Sequence, residues 1–190
     1  MDKLSAQQEA LDILGDFTLR PHTTQATALD RHYSSVLRFC VAQADWSFAR
    51  RAAILEPQED GTYTLPLDCL LIRTLRDLDG NKLRVWQLLD RTIVSEDSQG
   101  ALRLTYTTDY TISADGEPPD TSPTFLQYFV TQLAAKCAPS ILGEAGLELS
   151  IALEQKANAY RLRAIAQDRM QDASNAQSPL RMMQDRRRNF

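Results

Sequence analysis

The feature that most constrains this chain is a long run near its end that contains no glycine or proline. Residues 147–173 are rich in alanine, leucine, glutamate, glutamine and arginine, which are among the strongest helix formers. Pro139 and the glycines within residues 143–146 precede this run and mark a turn. The sequence therefore predicts one long helix over residues 147–173.

Two shorter helices are predicted in the first part of the chain. Ser5 and Gln8 have the spacing of a capping box and Gly15 is a stop signal, which predicts a helix over residues 5–14. A second helix is predicted over residues 26–44, because apolar residues recur there at helical spacing. These residues are Leu29, Tyr33, Val36, Leu37, Cys40, Val41 and Ala44.

Between these helices and the last part of the chain, the pattern changes to short β-prone runs. Residues 46–112 contain "FARRAAIL", "GTYTLP", "CLLIRTLRDL", "KLRVWQLL", "TIVSE" and "LRLTYTTDYTI", separated by the turn signals "EDG", "DLDGN" and "DSQG". This pattern predicts a small antiparallel sheet, with Trp46 and Phe48 at the start of its first strand. The loop "SADGEPPDTSP" then leads to a helix over residues 123–142, where Pro123 suits the first turn.

The predicted fold class is α+β: a bundle of about four helices with an inserted antiparallel β region and an extended C-terminal tail. A length of 190 residues suits one domain. We therefore expect a single domain over residues 1–173, with the β insertion at 46–112 and the tail at 174–190. The composition, with 43% hydrophobic and 24% charged residues, is typical of a folded protein.

Charge is unevenly distributed along the chain. The whole protein has a net charge of −4, which argues against a protein that coats nucleic acid with its entire surface. Residues 175–190 carry four arginines against one aspartate, a net charge of +3. The same tail contains several large apolar residues, so it combines positive charge with apolar side chains.

The cysteines and histidines give no metal or disulfide pattern. Cys40, Cys69 and Cys137 are odd in number and form no CxxC pair, so the sequence predicts free thiols in a reducing compartment. His22 and His32 have no cysteine or carboxylate at ligand spacing, and we interpret them as ordinary polar residues. The start of the chain lacks the apolar segment of a signal peptide, and no run is long enough to predict a membrane span.

One segment begins like a calcium-binding loop. Asp77, Asp79 and Asn81 occupy the first, third and fifth positions of such a loop. Lys82 stands where glycine is needed, however, and Leu88 where the bidentate glutamate should be. The sequence therefore favours a hairpin turn.

Motifs of catalytic sites were not found in the sequence. It contains no P-loop, no GxGxxG and no GxSxG. Glu144 and Glu148 share a predicted helix face, as exposed acidic residues commonly do. The aromatic residues, such as Tyr128 and Phe129, are not interleaved with basic clusters, which favours core packing over base stacking. We expect a protein that is not an enzyme and holds no cofactor.

Four stretches in sequence order resemble a known family. They are "DWSFARRAAIL" after an amphipathic helix, "YTLPLDCLLIRTL", "LRLTYTTDYT" before a proline-rich loop, and "TFLQYFVTQLAAKCAPSILGE". Their order is similar to the tail tubular protein A family, the head-to-tail adaptors of short-tailed bacteriophages, and to related connector proteins. The resemblance covers roughly residues 26–173. The segment "GDFTLRPH" departs from the family's commoner opening, in which "PV" follows the glycine.

The resemblance implies a structural virion protein at the head-tail junction, assembled in the host cytoplasm. In that family a helical bundle with an inserted β region forms a ring, usually dodecameric, under the portal of a DNA-filled capsid. The implied partners are the portal protein, a tail nozzle or other tail protein, and further copies of the chain. Genomic DNA would pass through the channel without sequence-specific binding, and no membrane is involved.

The tail is the candidate portal-binding segment. A segment that folds on binding can wrap a partner surface, and the tail's apolar and arginine residues suit such a contact. The candidate residues are Leu180, Arg181, Met182, Met183, Arg186, Arg187, Arg188 and Phe190. Two alternatives remain open: the consecutive arginines bind DNA phosphates, or the protein is a head-completion or stopper protein at another level of the same assembly.

Overall fold

The computed structural model describes residues 1–15, 18–95, 100–113, 117–118 and 122–176. The helices are α1 (Lys3–Gly15), α2 (Thr24–Ala42), α3 (Tyr110–Ser113), α4 (Pro123–Leu142) and α5 (Glu144–Ala176), and a 3-10 turn covers Ser47–Ala49. The strands are β1 (Arg50–Leu55), β2 (Tyr63–Thr64), β3 (Cys69–Asp77), β4 (Trp86–Leu89), β5 (Thr92–Ser95) and β6 (Leu102–Thr108). The predicted α+β fold class with a long C-terminal helix is confirmed.

The chain forms two compact units. The helical unit contains Met1–Val36 and the chain from Pro119 onward, and the sheet unit contains Leu37–Pro118. The sheet unit includes the predicted β insertion and begins within the last part of α2. The expectation of one domain over residues 1–173 stays a prediction.

Helix α4 is the centre of the helical unit. Ser122 caps it by accepting a hydrogen bond from the backbone N–H of Phe125, and Pro123 occupies the first turn. Its bounds agree with the prediction from sequence. Most of its side chains are buried, and it packs against α1 and α5. Because α4 itself carries apolar side chains on most of its sides, other helices have to enclose it.

Contacts between α2 and α4 fix the direction in which they run. The rings of Tyr33 and Phe129 meet edge to face with centroids 5.3 Å apart. The Cys137 thiol donates to the carbonyl oxygen of Ala28 at 3.7 Å. Residue numbers therefore rise along α2 as they fall along α4, so this part of α2 is antiparallel to α4.

Gly146 allows α4 and α5 to come close at their junction. A Cβ atom at this position would collide with the carbonyl oxygen of Ala138. Residues 143–146 were predicted as a turn, but α5 already begins at Glu144. Gly146 therefore lies inside α5 and not in a turn. Its role is to leave room for α4, because a residue with a side chain would not fit at this position.

The predicted capping box of α1 is wrong. The helix begins at Lys3, and the Asp2 carboxylate accepts from the backbone N–H of Ser5 at 2.7 Å. That hydrogen bond lowers the pKa of Asp2. The side-chain carbonyl of Gln8 instead accepts from the backbone N–H of Leu19 at 2.8 Å. Gln8 therefore holds the segment after α1 and does not cap the helix.

Two other helix bounds differ from the predictions. Helix α2 covers Thr24–Ala42, and thus ends before the predicted residue 44. Helix α5 continues to Ala176, so residues 174–176, predicted as the start of the tail, are helical. No proline occurs between Pro139 and Pro179, so no proline in this stretch blocks helical hydrogen bonding.

The sheet unit contains two small antiparallel sheets where the sequence predicted one. Their strand orders are β1-β6-β3 and β2-β5-β4. The first sheet pairs Arg50 with Thr107 and Leu55 with Leu102, and β3 pairs with the other edge of β6 with two irregularities. Both sheets contribute to one buried cluster, formed by Leu55, Tyr63, Leu65, Cys69, Leu75, Leu83, Ile93, Leu102, Leu104 and Tyr106.

The ends of the β region also differ from the prediction. Trp46 and Phe48 do not begin the first strand. Trp46 is buried just before the 3-10 turn, and Phe48 lies in that turn, where its ring stacks on the ring of Trp46. The Trp46 indole N–H donates to the carbonyl oxygen of Cys40 at 3.2 Å. At the other end β6 stops at Thr108, and the residues from Tyr110 predicted as strand form α3.

We predict that alanine at Phe129 or Leu37 destabilises the protein. Both side chains are fully buried, so truncation leaves a cavity and lowers the free energy of unfolding by about 2–5 kcal/mol. Phe39→Ala is the control, because Phe39 is 49% exposed and should change stability by less than about 1 kcal/mol. Urea denaturation followed by circular dichroism measures the difference. Equal midpoints for Phe129→Ala and the parent would contradict the assignment of α4 to the core.

Candidate interaction surfaces

The tail residues proposed from sequence to bind a portal all lie outside the described residues. They are Leu180, Arg181, Met182, Met183, Arg186, Arg187, Arg188 and Phe190. Their role therefore stays a prediction. What the structure describes is α5, the helix that precedes them, whose 33 residues give it a length of about 50 Å.

The "DLDGN" segment forms the hairpin turn predicted for it. The Asp77 carboxylate accepts from the backbone N–H of Asn81 at 2.7 Å and from its side-chain amide at 2.9 Å. These bonds, led by the side-chain one, lower the pKa of Asp77. The carboxylate is therefore used to close the turn. Within the described part of the chain, no group of three histidine, cysteine or acidic side chains is placed to hold a metal ion.

All three cysteines are buried free thiols. Burial raises the pKa of Cys69 from 9.0 to about 11 and that of Cys137 to about 12. A thiol with such a pKa stays protonated near neutral pH, and the thiolate is the nucleophilic form. Their environment is that of structural cysteines.

Arg73 joins the first sheet to the end of α2 inside the sheet unit. Its guanidinium donates to the carbonyl oxygens of Ala44 at 2.5 Å and Ala42 at 3.4 Å, and to the Thr107 hydroxyl at 2.7 Å. The carbonyl groups at a helix end have no partner within the helix and carry partial negative charge. Arg73 provides a positively charged donor to the Ala42 carbonyl at this helix end and to the Ala44 carbonyl just after it.

An ion pair within the sheet unit connects the last part of α2 to Asp109, which follows β6. The Arg38 guanidinium lies 2.9 Å from the Asp109 carboxylate, whose side chain is 4% exposed. Asp109 also accepts from the backbone N–H and hydroxyl of Thr111 at 2.9 and 2.6 Å. Asp109 thereby starts α3 and connects it to α2.

Asp68, part of the "LPLD" stretch, connects the beginning of β3 to β6. Its carboxylate accepts from the Tyr106 hydroxyl at 3.1 Å and from the Thr108 hydroxyl at 2.8 Å. Burial, reinforced by the hydrogen bond to Asp68, raises the pKa of Tyr106 to about 12. The arrangement holds two strands together, a role that the sequence did not indicate because Asp68 is separated from its two partners by 38 and 40 residues.

One exposed apolar surface lies on the second sheet. We define the β4 patch as Val85, Leu88 and Leu89, which are all exposed. Strand β4 is an edge strand of its sheet, so no further strand of that sheet lies along one of its sides. Exposed apolar edges of this kind are typical places for association.

A groove in the helical unit forms between α1 and the segment leading into α2. Its volume is about 800 Å³, and Leu4, Gln8, Asp12, Leu19 and Pro21 are among its lining residues. Lys3 and the largely buried Gln7 both contact Asp30, at 2.9 Å each. These polar groups satisfy one another, so the groove offers mainly shape and apolar lining.

The third surface is the side of α5 turned away from α4. We define the outer face of α5 by four large exposed apolar residues, Leu147, Ile151, Leu162 and Met170, together with four exposed alanines, Ala145, Ala152, Ala159 and Ala166. An apolar residue on an exposed helix face is common, but eight along one helix, interspersed with exposed polar residues such as Glu148 and Arg169, form a surface of the kind that contacts partners.

The sequence of this chain matches no protein-family model and no curated protein. Among the described residues, no helix has both the length and the apolar character needed to cross a bilayer. Function therefore has to be argued from the residues themselves.

We predict that Arg73→Ala destabilises the sheet unit. Loss of charged hydrogen bonds to the end of α2 should lower the free energy of unfolding by about 1.5–3 kcal/mol. Arg73→Lys should recover only part of this, because an ammonium group cannot reproduce the planar fork. Arg103→Ala, at an exposed position in β6, is the matched control. An Arg73→Ala protein as stable as the Arg103→Ala protein would disprove this role.

We also predict that the native thiols react slowly. Because the folded pKa of Cys69 and Cys137 lies above the ordinary value, few thiolates form at pH 8, and reaction with a chromogenic disulfide should require denaturant to reach three thiols per chain. The protonated thiols favour the folded state below about pH 9, and that contribution is lost as pH rises towards 11. Rapid reaction of all three thiols in the native protein would contradict this prediction.

Proposed function

We propose that this protein is a structural virion component of a tailed bacteriophage, a head-to-tail adaptor. Copies of the chain form a ring under the portal, extend the DNA channel and receive the tail. The observation that carries the proposal is the order and spacing of the four stretches described above. The α+β fold, with a β region between helices and a long last helix, supports it because it is the architecture that the resemblance implies.

The charge of the chain supports the same function. A protein that lines or surrounds a DNA channel has to let the duplex slide, and dense positive charge would hold DNA tightly through counterion release. The chain has a net charge of −4, and its run of three consecutive arginines lies in the tail. An acidic body with a basic end suits a ring that binds proteins while DNA passes through.

The tail has the chemistry of a segment that binds another protein. Methionine adapts to irregular apolar surfaces, and arginine pairs with carboxylates through two parallel hydrogen bonds. Pro179 is of a residue type that opposes continuation of a helix. Repeated around a ring, a weak contact of each tail gives a durable joint through high effective concentration.

The portal would also act as the template for the ring. A ring needs head-to-tail contacts that close, and a symmetric partner can hold the copies in that arrangement. The isolated protein is then a monomer or small oligomer. The loops and hairpins between residues 56 and 122, including the β4 patch, would face outward or towards the tail of the phage particle.

Removing residues 177–190 should abolish attachment without unfolding the protein. We expect the truncated protein to keep its melting temperature, because the buried residues that form the two described cores all lie before residue 177. It should fail to join DNA-filled heads that lack the adaptor, as measured by sedimentation and electron microscopy. A truncated protein that attached with normal yield would refute the tail's role.

Two variants of the full chain separate the possible contributions of the tail. Replacement of Leu180, Met182 and Met183 by serine removes the apolar contacts, and replacement of the arginines at 186–188 by glutamine removes charge. If the C-terminal tail binds the portal, both variants should attach to the portal more weakly than the parent protein. A salt-dependent gel shift lost only in the glutamine variant would instead favour DNA binding. Density at a lower level than the portal ring in virion images would indicate a stopper protein.

A further inference from the structure

Helix α5 has two apolar sides, of which α4 covers one. Leu153, Ala157 and Ala164 are buried on the inner side, and the Thr124 hydroxyl of α4 donates to the Gln167 side-chain oxygen at 2.8 Å. The outer face lies on the opposite side of the helix. A helix that exposes apolar residues on the side away from its own unit is typical of one that bridges to another partner.

The outer face is shaped for another helix. Ala145, Ala152, Ala159 and Ala166 recur every seventh residue and are all exposed, so they form a narrow, smooth line along one side of α5. Alanine lets two helix axes approach to about 8 Å, the lower end of the usual range. Ile151 and Leu162 lie beside this line, and 61% and 58% of their surfaces are exposed. They would cover its edges once a second helix is in place.

The distribution of charge along α5 indicates which partner suits the outer face. Its first part, residues 144–155, carries three glutamates and no basic residue, a charge of −3. The following part, residues 156–172, carries four basic residues against two aspartates, a charge of +2. Two such helices side by side repel if they are parallel and attract if they are antiparallel. The outer face is therefore complementary to itself in the antiparallel direction.

We propose that the outer face of α5 packs antiparallel against the same face of a second copy of this chain. The two-fold axis passes at Ala159, which faces its own counterpart. In this register Ala152 lies opposite Ala166 of the second copy, and Glu148 lies beside Arg169 of the second copy. This register places alanine opposite alanine and the acidic first part of each helix along the basic following part of the other.

The expected dimer is reversible. A contact strip about 50 Å long and about 10 Å wide on each helix buries roughly 1,000 Å² in total, the lower end of the range for specific interfaces. The inference does not rest on the proposed adaptor function. An isologous contact cannot build a ring in which all copies point the same way, so the dimer is the form of the protein outside such a ring.

Disulfide cross-linking of the full chain tests the register. Ala159→Cys should form a disulfide-linked dimer under mild oxidation. Ala152→Cys alone and Ala166→Cys alone should not, because each residue lies about 21 Å from its own counterpart, beyond disulfide range. A mixture of these two variants should give a cross-linked heterodimer. The natural cysteines are all buried, so the background should be low.

Glu154→Cys is the matched control, since Glu154 is exposed on α5 but lies about 140° around the helix from Ala159. It should cross-link far less than Ala159→Cys. Circular dichroism confirms that each variant is folded. Cross-linking of Ala152→Cys with itself would indicate parallel helices, and Ala159→Cys at the level of the control would rule out the interface; either result overturns the proposal.

Sedimentation equilibrium gives a test without cysteines. The parent should dimerise in a concentration-dependent manner, and Glu148→Lys should raise the dissociation constant by at least about threefold through repulsion from Arg169. The double variant Glu148→Lys/Arg169→Glu should restore association, because it exchanges the charges at the two positions and so keeps them opposite in sign. A parent that is monomeric at every concentration tested, or a double variant no better than Glu148→Lys, would contradict the proposed pairing.

Discussion

Burial of α4 is the constraint on which the helical unit depends. A helix that is apolar on most sides gains about 25 cal/mol for each Å² of apolar surface removed from water, and it gains this only if other helices enclose it. The edge-to-face contact between Tyr33 and Phe129 fixes α2 on one side. The absence of a side chain at Gly146 lets α5 approach on another. The position of α5 thus follows from α4.

The sheet unit depends more on charged side chains that close gaps between elements. Its two sheets share one apolar cluster, but a cluster does not satisfy backbone groups at a helix end. Arg73 does so for the carbonyls of Ala42 and Ala44, and Arg38 neutralises the nearly buried Asp109. Unpaired groups of this kind would each cost free energy inside a protein, so these contacts determine how the strands meet α2.

The surfaces left over are suited to protein contacts. The outer face of α5 and the β4 patch expose apolar residues that no described core uses. Acidic residues near the start of a helix and basic residues near its end also favour the helix itself. On α5 the same distribution makes the outer face complementary to a second copy. A protein with several such surfaces can change partners during assembly, as an adaptor has to do when it leaves a soluble pool and joins a portal.

Sequence alone determined the local features of this protein. Pro123 and the apolar steps after it specified α4 with its bounds, "DLDGN" specified its hairpin turn, and the region without glycine or proline specified α5, because each depends on neighbouring residues. Sequence did not indicate that Asp2 caps α1, that Arg73 reaches the end of α2, or that Asp68 joins Tyr106. The partners in the last two contacts are separated by 29 and 38 residues. Nor could residue type alone place Ile151 outside and Leu153 inside. Tertiary structure decided these points, because burial and hydrogen-bond partners depend on which elements pack together.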